Sequence, residues 1–125
     1  MAKKQEPYWF KHAGNARRQQ NIITMRTVYG AEGYGWYWML VEMMREAEEY
    51  KLRLTGKYDM QGLAKELDTG PDRLKEFIAD CVKEFGLFES DGQTFWSPQL
   101  MDKMKSYDEL VEKKREAANT RWNRD

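Results

Sequence analysis

The sequence predicts a mainly helical fold with a small β wing, and the prediction depends on the apolar pattern between residues 59 and 97. Apolar residues recur there at helical spacing, then again at helical spacing after a Gly-Pro break, and finally in two short runs around Asp91-Gly92. Helix, turn, helix and hairpin in this order are typical of a winged helix-turn-helix. Two further helices are predicted before this unit, and one after it.

The first helix of the pair is indicated by apolar residues three and four positions apart, from Met60 to Leu67, which share one face of a helix. Asp68-Thr69-Gly70 ends it. Pro71 suits the first position of the next helix because its missing N–H would have no partner there, and Asp72 favours that positive end. The apolar stripe of this second helix consists of Leu74, Phe77, Ile78, Cys81, Val82 and Phe85.

The wing is predicted from the two apolar runs around Asp91-Gly92. A two-residue loop with Gly second favours a type I′ turn, and that register pairs Phe88 with Phe95 on one face. The alternating segment Lys51 to Thr55 predicts a short third strand of the same sheet.

Two helices are predicted ahead of this unit. The first has Asn15 as its N-cap, ends at Gly30, and carries Arg17 and Arg18 in a first turn where positive charges oppose the helix dipole. The second runs from about residue 32 to residue 50 and is apolar nearly all round, which is typical of a central helix.

Glycines inside that central helix, Gly33 and Gly35, cost about 1 kcal/mol each relative to Ala. Such a cost indicates that the backbone there closely contacts a neighbouring element.

The last helix is predicted to start with Ser97 as cap and Pro98 as first residue, and its apolar stripe fades beyond Val111. From Asn119 the segment is expected to fray, and Trp122 either docks back or marks the junction to a further part of the protein. The predicted organisation is an N-terminal arm at 1–14, a winged-helix domain at 15–105, and a C-terminal helix and tail at 106–125 that leads to a region beyond this chain.

Composition limits the class of protein. A chain of 125 residues and 15.0 kDa, 41% hydrophobic and 34% charged, is expected to fold as one domain. Cys81 is the only cysteine, the N-terminus has no apolar signal sequence, and the apolar stretch from Tyr34 to Met44 is too short to span a bilayer. We therefore expect a cytoplasmic protein with no membrane partner.

Charge is distributed unevenly along a chain whose formal net charge is zero. Residues 1–30 contain six basic residues and one acidic residue, residues 31–105 contain ten basic and fifteen acidic, and the tail from residue 106 is balanced, with its basic residues late. An anionic partner is expected to meet the ends of the chain first.

Four blocks of the sequence together form a recognisable pattern, namely Pro7 to His12, Asn15 to Arg17, Tyr29 to Leu40, and Phe85 to Phe88. They resemble the N-terminal domain of phage replisome-organiser proteins, relatives of the DnaD-like primosomal proteins, over roughly residues 7–105. The glycine-rich block from Gly30 to Gly35 with the aromatics after it is specific to that resemblance, whereas a winged helix alone is shared by many regulators. Ala13 and Gln19 stand where family members often carry acidic residues, so no role of those acids is carried over.

This resemblance implies a winged-helix domain of a phage or prophage replication-initiation protein in a bacterial host cell. The implied partners are DNA, single- or double-stranded, and replisome proteins such as the helicase or its loader.

The candidate nucleic-acid-binding residues are basic and lie on the arm, the first helix and the start of the helix that follows the Gly-Pro break. They are Lys11, Arg17, Arg18, Arg73 and Lys75. The helix that follows the Gly-Pro break also carries acidic residues on its exposed face, and these repel phosphates. They are Asp72, Glu76, Asp80 and Glu84.

Two functions therefore remain open. In one, the domain binds DNA weakly through its basic ends. In the other, it is a scaffold for oligomerisation or helicase-loader docking, with no DNA contact by the recognition helix.

Self-association is expected because five large aromatics cannot all fit one small interior, namely Trp9, Phe10, Trp36, Trp96 and Trp122. The candidate residues of a homodimer interface are Trp9, Phe10 and Trp122.

No motif indicates catalysis, a cofactor or a metal, so we expect the protein not to be an enzyme. His12 is the only histidine and has no cysteine cluster beside it, which favours a structural or surface role. Gly30, Gly33 and Gly35 lack the spacing of a dinucleotide-binding loop, and Cys81 lies on the apolar stripe of a helix.

Overall fold

The structure is a computed structural model that describes residues 19–122. The chain forms, in order, helix α1 (Gln20–Glu46), a 3-10 turn (Glu48–Tyr50), strand β1 (Leu52–Arg53), helices α2 (Asp59–Glu66) and α3 (Pro71–Lys83), strands β2 (Glu89–Ser90) and β3 (Thr94–Trp96), and helix α4 (Pro98–Trp122). The strands form an antiparallel sheet in the order β1-β3-β2. The predicted fold class, mainly helical with a small β wing, is confirmed, and so is the third strand.

Helix α1 is broken at Gly30, whose backbone angles are φ 70° and ψ −163°. This region of backbone space is essentially restricted to glycine because a Cβ atom would clash there. The break separates the two helices that the sequence predicts before the winged helix. The predicted N-cap Asn15 lies outside the described residues.

The second of these helices is shorter than predicted, since it ends at Glu46 and not at Tyr50. Glu49 and Tyr50 have positive φ angles of 57° and 62°. An α-helix does not continue through left-handed backbone, and the chain turns towards β1 instead.

Gly33 is buried one turn after the break and confirms the predicted close contact. Cβ atoms four residues apart in a regular helix are about 5–6 Å from each other. The break at Gly30 changes this, because a Cβ added at Gly33 would overlap the Cβ of Tyr29 and lie 3.3 Å from Cε1 of Phe77. The same expectation is wrong for Gly35, where an added Cβ would meet nothing within 4 Å.

The hydrophobic core lies between α1, α3 and the inner face of the sheet, and Phe77 is at its centre. The ring of Phe77 is fully buried and packs edge-to-face on Trp36, with ring centroids 5.3 Å apart. Trp36, one of the five aromatics that were not expected to fit one interior together, is 2% exposed and belongs to the core. Cys81 is buried in the core as predicted, and that burial raises the pKa of its thiol.

The register of the wing differs from the prediction. Ser90, and not Phe88, pairs with Phe95, and the loop between β2 and β3 consists of residues 91–93. The carboxylate of Asp91 accepts hydrogen bonds from the backbone N–H groups of Gln93 and Thr94, at 2.8 and 2.7 Å, and thereby closes a longer turn than the two-residue type. These hydrogen bonds hold the pKa of Asp91 below its usual value. Phe88 and Phe95 still meet in the core, with ring centroids 5.5 Å apart.

Helix α4 begins as predicted, because Ser97 Oγ accepts a hydrogen bond from the backbone N–H of Leu100 at 3.1 Å. The helix continues without a break to Trp122, so the predicted fraying beyond Asn119 is wrong. Good helix formers and the i,i+3 pair of Arg115 with Glu112, at 3.3 Å, favour helix there. Trp122 is 86% exposed and does not dock back.

Replacement of Phe77 by Ala is expected to lower the free energy of unfolding by about 3–5 kcal/mol, because it removes a fully buried ring and leaves a cavity. Chemical denaturation measures the loss. Val28→Ala is the control, since Val28 is 61% exposed and its replacement should change stability by no more than about 0.5 kcal/mol. A loss below about 1 kcal/mol for Phe77→Ala would contradict the assignment of the core.

Gly33→Ala and Gly35→Ala form a matched pair in one helix. Gly33→Ala is expected to destabilise by about 1–3 kcal/mol, because the new Cβ overlaps a Cβ atom of Tyr29 that cannot move without its backbone. Gly35→Ala is expected to stabilise by about 0.5–1 kcal/mol, since it only removes the flexibility of a helical glycine. Thermal denaturation of both variants is the measurement, and equal shifts would refute the role of the break at Gly30.

Candidate nucleic-acid interface

Helix α3 occupies the position of a recognition helix, as the second helix of the pair and directly ahead of the wing. It carries three basic and three acidic residues, so its net charge is zero. The exposed wing adds acidic side chains at Glu89 and Asp91. Attraction to phosphates depends on excess positive charge, and this face has none.

Arg73, one of the predicted DNA contacts, is directed towards α1. Its Nη2 atom lies 3.4 Å from Glu32 Oε1, and its guanidinium carbon lies 5.3 Å from the ring centroid of Trp36 and 5.8 Å from that of Tyr29. A guanidinium over aromatic rings is attracted to their π faces. Arg73 therefore joins α1 to α3, and a phosphate would have to compete with these contacts.

A hydrogen bond joins the same two helices about two turns further along α3. The hydroxyl of Tyr29 donates to Asp80 Oδ2 at 2.5 Å. Burial and then this hydrogen bond raise the pKa of Tyr29 above its ordinary value. Asp80, predicted to repel phosphates from the exposed face, is thus held against α1.

Lys75 is exposed and lies on a different side of α3, facing the wing. Together with Lys83 it lines a groove of about 380 Å³ between α3, the wing and the segment from β1 to α2. We call this the wing groove. The other residues that line it are mostly apolar, namely Leu54, Met60, Ile78, Ala79, Val82, Ser90 and Gly92.

The wing groove was not predicted from the sequence. Its residues come from three separate elements, and only the packing of the sheet against α3 brings Leu54 beside Val82. One feature of the sequence could have indicated the groove. Val82 lies at the edge of the apolar stripe of α3, where a half-buried apolar side chain is expected to pack against another element.

The outer half of α4 carries the largest excess of positive charge on the described helices. Residues 113–122 contain four basic residues and one acidic residue, and all are exposed. The basic residues are Lys113, Lys114, Arg115 and Arg121. This agrees with the expectation that basic residues collect late in the tail.

The other predicted site residues lie outside the described residues. They are the DNA-binding candidates Lys11, Arg17 and Arg18, the interface candidates Trp9 and Phe10, and His12. Of the interface candidates, Trp122 is described and is exposed at the end of α4.

Within residues 19–122, no cluster of three or more His, Cys, Asp or Glu side chains is placed to hold a metal ion. Over the same part of the chain, no helix combines the length and the apolar character needed to cross a membrane.

Comparison with known proteins gives one family. The family model described as Lin1244/Lin1753-like, N-terminal, matches residues 9–100. The match therefore extends over α1, the winged helix and the first residues of α4. No curated protein and no solved structure matches the chain.

Proposed function

The chain belongs to the Lin1244/Lin1753-like N-terminal family, and we propose that it is the winged-helix module of a phage- or prophage-type DNA-replication initiation protein. In this role it binds DNA weakly through its basic ends, performs no catalysis, and acts in the cytoplasm of a bacterial host beside replisome proteins such as the helicase or its loader. The resemblance to phage replisome organisers over roughly residues 7–105 supports this assignment.

The observation that carries the DNA role is the contrast between a neutral recognition helix and basic ends. Residues 1–30 contain six basic residues against one acidic residue, and the last turns of α4 contain four against one. Contacts to phosphates from lysine and arginine side chains attract any DNA sequence and weaken steeply with salt. We therefore expect binding that is weak and largely independent of sequence.

Gln19, the first described residue, lies near the start of α4. Gln19, which directly follows Arg18 in sequence, lines one cavity together with Leu100 and Lys103 of α4. The basic N-terminal stretch is thus joined to the fold beside the beginning of the helix that carries the other basic cluster. The other basic cluster begins at Lys113, ten residues and about 15 Å beyond Lys103 along the helix axis, so we expect one DNA molecule to contact cations of both regions.

Replacing Arg17 and Arg18 by Ala is expected to reduce the slope of log K against log salt by up to about two units, since each phosphate contact contributes about one unit. Fluorescence anisotropy of a labelled DNA duplex measures the slope. The control is the pair Lys57→Ala and Lys65→Ala, two exposed lysines in the acidic middle of the chain, which should leave the slope unchanged. An unchanged slope in this variant would contradict the assignment of Arg17 and Arg18 to the DNA-binding residues.

Self-association is a second candidate function, favoured by the exposed apolar side chains on the outer half of α4. Trp122 is 86% exposed and Leu110 is 50% exposed, and a tryptophan of this exposure is characteristic of an interface anchor. A symmetric homodimer that covers them would place two copies of the basic ends on one surface.

Sedimentation equilibrium at micromolar concentration tests the dimer. Trp122→Ser is expected to weaken association by at least about tenfold. The reason is that a tryptophan buried at an interface typically contributes more than about 1.4 kcal/mol to binding. Tyr58→Ser is the matched control, since Tyr58 is an exposed aromatic away from α4. A 15.0 kDa monomer at every concentration would contradict self-association and favour a different protein as partner.

A further inference from the structure

The wing groove combines an apolar floor with two basic side chains, those of Lys75 and Lys83. Ile78 is 3% exposed at its base, while Leu54, Met60 and Val82 are half-buried and form its walls. Its volume of about 380 Å³ is in the range of pockets that hold ligands, about 300–1,000 Å³. The groove can therefore bury apolar side chains of a bound molecule.

Lys75 and Lys83 are the only charged residues among the described residues that line the groove. Neither lysine forms an ion pair within residues 19–122. They are eight positions apart on α3, which places them about 12 Å apart along the helix axis. A bound molecule is thus expected to carry two negative charges separated by about this distance.

We propose that the wing groove is a docking site for a short acidic amphipathic helix of a protein partner. Apolar side chains on one face of such a helix fill the floor, and two carboxylates about two turns apart meet Lys75 and Lys83. The apolar floor argues for this partner over a nucleic acid. Phosphates and sugars leave the apolar floor uncovered, whereas leucine-type side chains gain about 25 cal/mol for each Å² that they bury.

This docking role is separate from the proposed DNA function, because no residue of the basic ends that the structure describes lines the groove. The face that binds DNA in many winged helices is here suited to a protein. The wing groove and the basic ends can then be occupied at the same time.

A fluorescein-labelled helical peptide of about 15 residues is the probe, with leucines on one face and two glutamates eight positions apart. The matched control peptide has lysine at both glutamate positions. Fluorescence anisotropy is expected to show at least tenfold tighter binding of the acidic peptide. The double variant Lys75→Glu and Lys83→Glu should reverse this preference, while Lys57→Glu with Lys65→Glu should leave it unchanged. Circular dichroism verifies that these exposed substitutions keep the fold.

The methionine methyl groups locate the peptide independently of affinity. In protein labelled with ¹³C-methyl methionine, the resonance of Met60 should shift when the acidic peptide is added, whereas that of Met39, which is 37% exposed and outside the groove, should not.

Failure of the acidic peptide to bind at about 1 mM, or equal binding by the native chain and the Lys75→Glu, Lys83→Glu variant, would overturn the proposal. Displacement of the peptide by a DNA duplex, with a shift of the Met60 resonance, would overturn it in favour of a nucleic-acid surface. Replacement of Arg17 and Arg18 by Ala should leave peptide affinity unchanged, so failure of the docking proposal is distinguishable from failure of the DNA role.

Discussion

The packing of Phe77 against the kinked part of α1 sets the position of the recognition helix, and the rest of the structure depends on it. The ring of Phe77 lies edge-to-face on Tyr29 and on Trp36, with centroids at 4.9 and 5.3 Å. This arrangement requires the glycine-only backbone at Gly30, which brings Tyr29 over Gly33. A side chain at position 33 would push α3 away from α1, because Cε1 of Phe77 lies against that site.

The same packing determines which charges of α3 are available to a partner. It draws Arg73 towards Glu32 and Trp36, and it holds Asp80 with the hydroxyl of Tyr29. On the side of α3 that faces the wing, the charged residues that line the groove are Lys75 and Lys83, and they lie around an apolar floor. This distribution of charge supports the two proposals that the recognition face binds a protein and that the basic ends bind DNA.

Local signals in the sequence were sufficient for most helices of the fold. Pro71 and Ser97 mark helix starts through backbone capping, and Gly30 marks a break because its backbone angles are closed to other residues. The wing register was not predictable from the Asp-Gly pair, since the carboxylate of Asp91 bonds to backbone groups of the loop and selects a longer turn.

The sequence predicted the candidate site less well than it predicted the fold. Lys75 and Arg73 are two residues apart and were predicted to act together, yet a helix directs them to different sides, one towards the wing groove and one towards α1. Nothing local to α3 signals that Trp36, distant in sequence, receives the guanidinium of Arg73. The packing of elements that are distant in sequence determines which charged side chains remain available to a partner. Patterns within a single sequence do not show which elements pack together.

The division between a protein-binding recognition face and DNA-binding ends is tested most directly by NMR titration of ¹⁵N-labelled protein with a DNA duplex at low salt. We predict that amide resonances of Lys113, Lys114 and Arg121, together with those of the basic N-terminal stretch, shift most. The amides of α3 and the side-chain N–H of Arg73 should remain nearly unchanged, because Arg73 stays on α1. Largest shifts along α3 and in the wing would contradict this account and would show that the recognition helix itself binds DNA.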